Sequence, residues 1–92
     1  MSKIRILIAD DHAIVRMGVN LLLTAEKDFQ VIGEADNGLS AIEICRREKP
    51  DLIVLDLMMP KMDGVEVTRK LKEILPDVKI VVLTSFATAE GL

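Results

Sequence analysis

Leu52-Ile53-Val54-Leu55-Asp56-Leu57-Met58-Met59-Pro60-Lys61-Met62-Asp63-Gly64 decides the fold of this 92-residue chain. Four apolar residues run without alternation, and an acid follows at once. A strand with one wet face alternates polar and apolar residues, whereas a strand buried on both faces does not. Leu52–Leu55 therefore predicts an inner strand of a parallel sheet with helices on both sides. Asp56 stands at the carboxyl end of that strand, where a charge without a partner is costly. Leu57–Asp63 reads as a loop shaped by Pro60. Asp63-Gly64 reads as a turn opening a helix, with Gly64 permitting unusual backbone angles.

The flanking segments fit the same architecture. Ile4–Ala9 is a short apolar run interrupted only by Arg5, and it predicts a mostly buried strand ended by Asp10-Asp11. From His12 to Ala25 the period becomes helical. Val15, Val19 and Leu22 recur on one face, with Ile14, Gly18 and Leu21 alongside, and Asp11 is the expected N-cap. Phe29–Ala35 predicts a second strand, and Asp36-Asn37-Gly38 a turn. Ser40–Glu48 predicts a helix with Ala41, Ile42 and Cys45 on its core face, stopped by Pro50. Val67, Leu71 and Ile74 mark a third helix ended by Pro76. Lys79–Leu83 predicts a fourth buried strand that runs into Thr84-Ser85-Phe86, and Ala87–Leu92 the start of a further helix. Strands alternate with helices, so the class is α/β with right-handed crossovers.

Composition narrows the function. Half of the residues are hydrophobic and only Phe29 and Phe86 are aromatic, so Ile, Val, Leu, Met and Ala must build the core. The net charge of −3 and the lack of any Lys/Arg run beyond two residues argue against a nucleic-acid surface on this domain. A lone Cys45 forms no internal disulfide, which suits a reducing cytosol. The start shows no signal-peptide pattern, and no apolar run reaches membrane-spanning length, so a cytoplasmic location is expected.

In an open parallel sheet, ligands bind outside the carboxyl ends of the strands, where strand order reverses. Strand one ends in Asp10-Asp11, strand three in Asp56 and strand four in Thr84. Three carboxylates and a hydroxyl thus converge on one edge. Gathered carboxylates repel one another unless a cation joins them. Mg²⁺ is the natural partner, because it prefers oxygen ligands and often sits on one or two carboxylates plus a phosphate. A carboxylate beside such an ion can act as a nucleophile toward phosphorus. Taken singly, each residue has a plainer role: helix cap for the acid pair, strand end for Asp56, β-branched strand residue for Thr84. His12 reads as a first-turn surface residue, Cys45 as core, and Met58, Met59 and Met62 as loop packing or partner contacts.

Ile-Ala-Asp-Asp-His, Leu-Asp-Leu-Met-Met-Pro-Lys-Met-Asp-Gly and Leu-Thr-Ser, at these separations, resemble response regulator receiver domains. His12 after the acid pair, and Thr-Ser-Phe after strand four, look most like the NarL/FixJ subfamily of transcription factors. The resemblance covers the whole chain and implies a flavodoxin-like (CheY-like) parallel sheet. It implies that Asp56 accepts a phosphoryl group from a histidine kinase, that Asp11, Asp56 and the Met58 backbone carbonyl ligate Mg²⁺, and that Asp10 holds the ion directly or through water. Thr84 would be the switch hydroxyl.

The family pattern ordinarily continues into a fifth strand, two more helices and a DNA-binding helix-turn-helix domain. Its phosphate-pairing lysine and switch aromatic lie in that continuation. No residue here matches either, and Lys61 stands in the wrong loop to substitute. The expectation is an incomplete receiver domain over residues 1–92, lacking the last strand and helix. Strand four would then be an exposed apolar edge, inviting a homodimer, an exchanged oligomer or aggregation. Met58 and Phe86 would flank the phosphoryl group and slow its hydrolysis. Two other functions compete: a Mg²⁺-dependent phosphatase of the haloacid dehalogenase type, and a non-phosphorylated interaction module. The phosphatase pattern places a second Asp two residues after the nucleophile of the first strand, whereas Asp11 and His12 follow Asp10 here.

Overall fold

The computed structural model describes residues 3–57, 59 and 63–83. They form β1 (Ile4–Ala9), α1 (Ala13–Thr24), β2 (Phe29–Ala35), α2 (Gly38–Glu48), β3 (Leu52–Asp56), α3 (Gly64–Ile74) and β4 (Lys79–Leu83). The sheet is fully parallel, in the order β2-β1-β3-β4. The chain leaves β1 toward one side to make β2 and then crosses to the other side to make β3. Strand order therefore reverses between β1 and β3.

The two central strands are sealed on both faces. Ile6–Ala9 and Ile53–Leu55 are all buried, as their non-alternating sequences require. One face packs on α2 and α3 through Ala41, Ile42, Cys45, Val67 and Leu71. The other carries Ile6, Ile8 and Val54, with α1 laid over β1 and β2. Each buried Leu or Ile contributes about 1.5–3 kcal/mol. Arg5 is tolerated in β1 because it reaches out of the sheet. Its guanidinium donates to the carbonyls of Glu48 (2.6 Å) and Lys49 (3.1 Å), tying β1 to the end of α2.

Helix starts follow their sequence signals in two cases of three. The Asn37 side chain caps α2 by accepting from the Ser40 N–H at 2.9 Å, so the helix opens at Gly38, two residues before the expected Ser40. Asp63 caps α3 through the Val65 N–H at 2.7 Å. Asp11 does not cap α1. The capping position falls to His12, whose side chain makes no cap hydrogen bond.

Three further expectations are corrected. Leu22 does not face the sheet and is 75% exposed. The inward side of α1 is Val15, Arg16, Val19, Asn20 and Leu23. Glu34 on β2 sets this orientation by accepting from Arg16 Nε (3.1 Å) and Asn20 Nδ2 (2.8 Å). β4 is not buried. It is the sheet edge among the described residues, with Val81 48% and Val82 47% exposed. Gly64 does not need a positive φ. A Cβ there would lie 2.7–2.9 Å from Leu57, so glycine is required by close approach.

Candidate functional site

The switch point between β1 and β3 is where the acids gather. Ala9 is paired with Leu55, so Asp10 and Asp56 leave the sheet side by side. Both are buried, Asp10 at 3% and Asp56 at 4% exposure. The Asp10 backbone is held from both directions: its N–H donates to the Ala35 carbonyl (3.0 Å), and its carbonyl accepts from Arg16 Nη1 (2.8 Å). Arg16 is held in turn by Glu34. The first turn of α1 and the carboxyl end of β2 thus hold Asp10 from behind.

Asp10, Asp11, His12 and Asp56 each present a ligand atom, and these four atoms lie within 4.8 Å of one another. Asp10 Oδ1 accepts from the His12 backbone N–H at 2.7 Å and faces His12 Nδ1 at 3.2 Å. Asp11 Oδ1 is sealed from solvent and accepts no hydrogen bond, although His12 Nδ1 lies 2.9 Å away. Burying carboxylates this close costs several kcal/mol per charge unless cations or donors compensate. An orphaned acceptor beside two buried carboxylates fits a hard divalent cation, because Mg²⁺ takes oxygen ligands and completes its shell with water.

The structure brings together Asp10, Asp11 and Asp56. Met58 and Thr84 lie outside the described residues, as do Phe86 and Lys61. Met59 is buried in the core and serves packing. Cys45 is buried too, and burial pushes its thiol pKa up, with Arg46 pulling weakly the other way, so it is an inert core residue. Sequence reasoning missed two parts of the site. His12 is 66% exposed at its side chain yet touches both acids. The Arg16–Glu34–Asn20 network was hidden because its members are 14 and 18 residues apart. Its one local signal was a charged and an amide residue, Arg16 and Asn20, four apart in a mostly apolar helix.

The response regulator receiver domain family matches residues 6–91. The chain belongs to this family. The response regulator protein VraR of Staphylococcus saprophyticus is 47% identical over 83 residues, covering 90% of this chain and 40% of VraR. The receiver domain of the response regulator NarL from Mycobacterium tuberculosis superposes with a TM-score of 0.82 at 33% identity, over 89% of this chain and 66% of that one. RcsB from Salmonella enterica serovar Typhimurium, bound to promoter rprA with the phosphomimetic BeF3−, superposes with a TM-score of 0.82 at 29% identity, over 90% of this chain and 43% of RcsB. The NarL-type resemblance and the flavodoxin-like sheet order of this receiver domain are thereby borne out. The chain spans about 40% of the length of the curated relatives it matches. No helix among the described residues is long and apolar enough to cross a membrane.

Proposed function

We propose that this receiver domain takes a phosphoryl group on Asp56 from a histidine kinase, with Mg²⁺ held by Asp10, Asp11 and Asp56, and so switches a DNA-binding output domain. The observation that carries the reading is the cluster of three carboxylates at the switch point, one oxygen of which is buried without a donor. RcsB, which was captured with both a phosphomimetic and a promoter, supports the assignment by likeness.

Each residue has a part. An Asp56 oxygen bonds to phosphorus, the bond to the donor's leaving group breaks, and an acyl phosphate results. Asp10 and Asp11 hold the cation and raise the negative potential at Asp56 when it is absent. The bound ion would offset the charge on the phosphoryl oxygens. By the family resemblance, Thr84, the next residue in sequence after β4, would donate its hydroxyl to a phosphoryl oxygen, and the Met58 backbone carbonyl would be a further ligand of the ion. Phosphorylation then favours one arrangement of the segments following β3 and β4, a population shift that the output domain reads.

Intact mass spectrometry after incubation with Mg²⁺ and acetyl phosphate tests the reading. One added phosphoryl group is expected on the wild type, and none on Asp56→Asn or in the presence of a chelator. A gain that survives Asp56→Asn would contradict the assignment. So would steady phosphate release without any mass gain, which is the signature of a phosphatase.

A further inference from the structure

The His12 imidazole has no place in an all-oxygen Mg²⁺ site, yet it sits in this one. Nδ1 lies 2.9 Å from Asp11 Oδ1 and 3.2 Å from Asp10 Oδ1. Adjacent ligands on one metal ion, at bond lengths of about 2.0–2.1 Å, stand roughly 2.9–3.3 Å apart in octahedral or tetrahedral geometry. Both separations fall at that spacing. Ligands on opposite sides of an octahedral ion stand about 4.2 Å apart, so the 4.8 Å span of the whole set closes with small side-chain rotations. The buried Asp11 oxygen with no donor points into the same cluster and calls for a cation there. His12 occupies the N-cap position of α1 without using its side chain as a cap, so the ring is available to turn.

We propose that His12 Nδ1 is a fourth ligand of this site, and that the resulting nitrogen-and-oxygen set binds a borderline divalent transition ion, Zn²⁺ or Ni²⁺, as well as Mg²⁺. The inference rests on the metal site put forward above and adds its selectivity. Neutral imidazole suits Zn²⁺ and Ni²⁺, whereas Mg²⁺ gains little from exchanging a water for a ring nitrogen. The one cysteine is buried in the core, so no thiolate among the described residues competes for the softer ion. The plainer account is that the ring is only a hydrogen-bond partner of the acids. The accounts predict opposite signs: removing a ligand weakens the softer ion, and removing a group that occupies the carboxylate oxygens strengthens every cation.

The chain contains a single histidine, so its ring nitrogens give an unambiguous signal. Nitrogen-15 NMR of the imidazole during a Zn²⁺ titration, at one fixed and mildly alkaline pH, should show Nδ1 shifting as a metal-bound nitrogen with one equivalent. Calorimetry should show His12→Ala losing about tenfold or more in Ni²⁺ affinity, with Mg²⁺ affinity unchanged within a factor of two. Mg²⁺ binding with unmoved ring nitrogens under Zn²⁺, or tighter binding of both ions to His12→Ala, would overturn the ligand role and leave the Mg²⁺ reading standing. Failure of both ions to bind would remove the two together.

Discussion

The two ends of the central strands carry similar charges and treat them in opposite ways. At the amino end, Asp51 accepts from the Arg5 backbone N–H (2.9 Å), and the Arg5 guanidinium meets Glu48 (3.5 Å) with both side chains over a third exposed. The acids named there each have a donor or a cation beside them and access to water. At the carboxyl end, Asp10 and Asp56 are buried, Asp11 keeps an orphaned oxygen, and among the described residues the His12 ring lies against both Asp10 and Asp11. An end organised for stability pairs its charges; an end organised to receive a cation or a phosphoryl group leaves its carboxylates crowded. The helix exits differ too. α2 closes at the amino end with Lys49 in the left-handed region (φ 50°), its N–H donating to the Cys45 carbonyl. α3 opens at the carboxyl end with Gly64 pressed on Leu57, the residue after Asp56.

The largest expected difference between the ends is Mg²⁺-dependent. At a hundred times its dissociation constant, Mg²⁺ should stabilise the wild type by about 2.7 kcal/mol. Asp51→Ala should keep that increment and Asp11→Asn should lose it, as read by denaturant unfolding with and without the ion. An equal increment in both variants would erase the distinction. Next in size is Gly64→Ala. Its methyl group must displace Leu57 Cα and Cβ, at a cost of about 1–3 kcal/mol, and Mg²⁺ affinity should fall with it because Leu57 adjoins Asp56.

Smaller and of opposite sign are the metal-free effects of removing acids. Asp11→Asn should stabilise the metal-free protein by about 1 kcal/mol, by relieving repulsion with Asp10 and Asp56. Asp51→Ala should destabilise it by about 0.5–1.5 kcal/mol, by stranding the Arg5 N–H. Two destabilising results would show that the carboxyl end is as well paired as the amino end. Smallest is a control in the core between them. Burial raises the folded-state pKa of Cys45. Its contribution to stability is therefore full below the ordinary thiol range and declines as pH rises through the raised value. The alkaline fall in stability should be shallower for Cys45→Ala, and native Cys45 should resist thiol reagents.

The sequence carried the central frame because burial on both faces leaves a local mark. Leu52–Leu55 without alternation reads as an inner strand, and with that strand beside the first the acids at their ends meet. Other features depended on partners distant in the chain. α1 has apolar residues around most of its circumference, from Ile14 to Leu23, so periodicity alone could not choose its inward face. Glu34, on the neighbouring strand, made the choice by drawing in Arg16 and Asn20. Lys79–Leu83 is as apolar as an inner strand, and composition does not say whether a strand has one neighbour or two. Asp11 looked like a cap because Asp before a helix usually is one. Its position beside two other carboxylates is tertiary, and so is the contact that draws His12 into the site.

The most direct test is a Mg²⁺ titration of the metal-free chain, followed by side-chain carboxylate carbon-13 NMR. The account predicts a single saturable site at which Asp10, Asp11 and Asp56 shift together while Glu48 and Asp51 stay still. Unsaturable shifts spread over all acids, or saturation at the amino end, would contradict it.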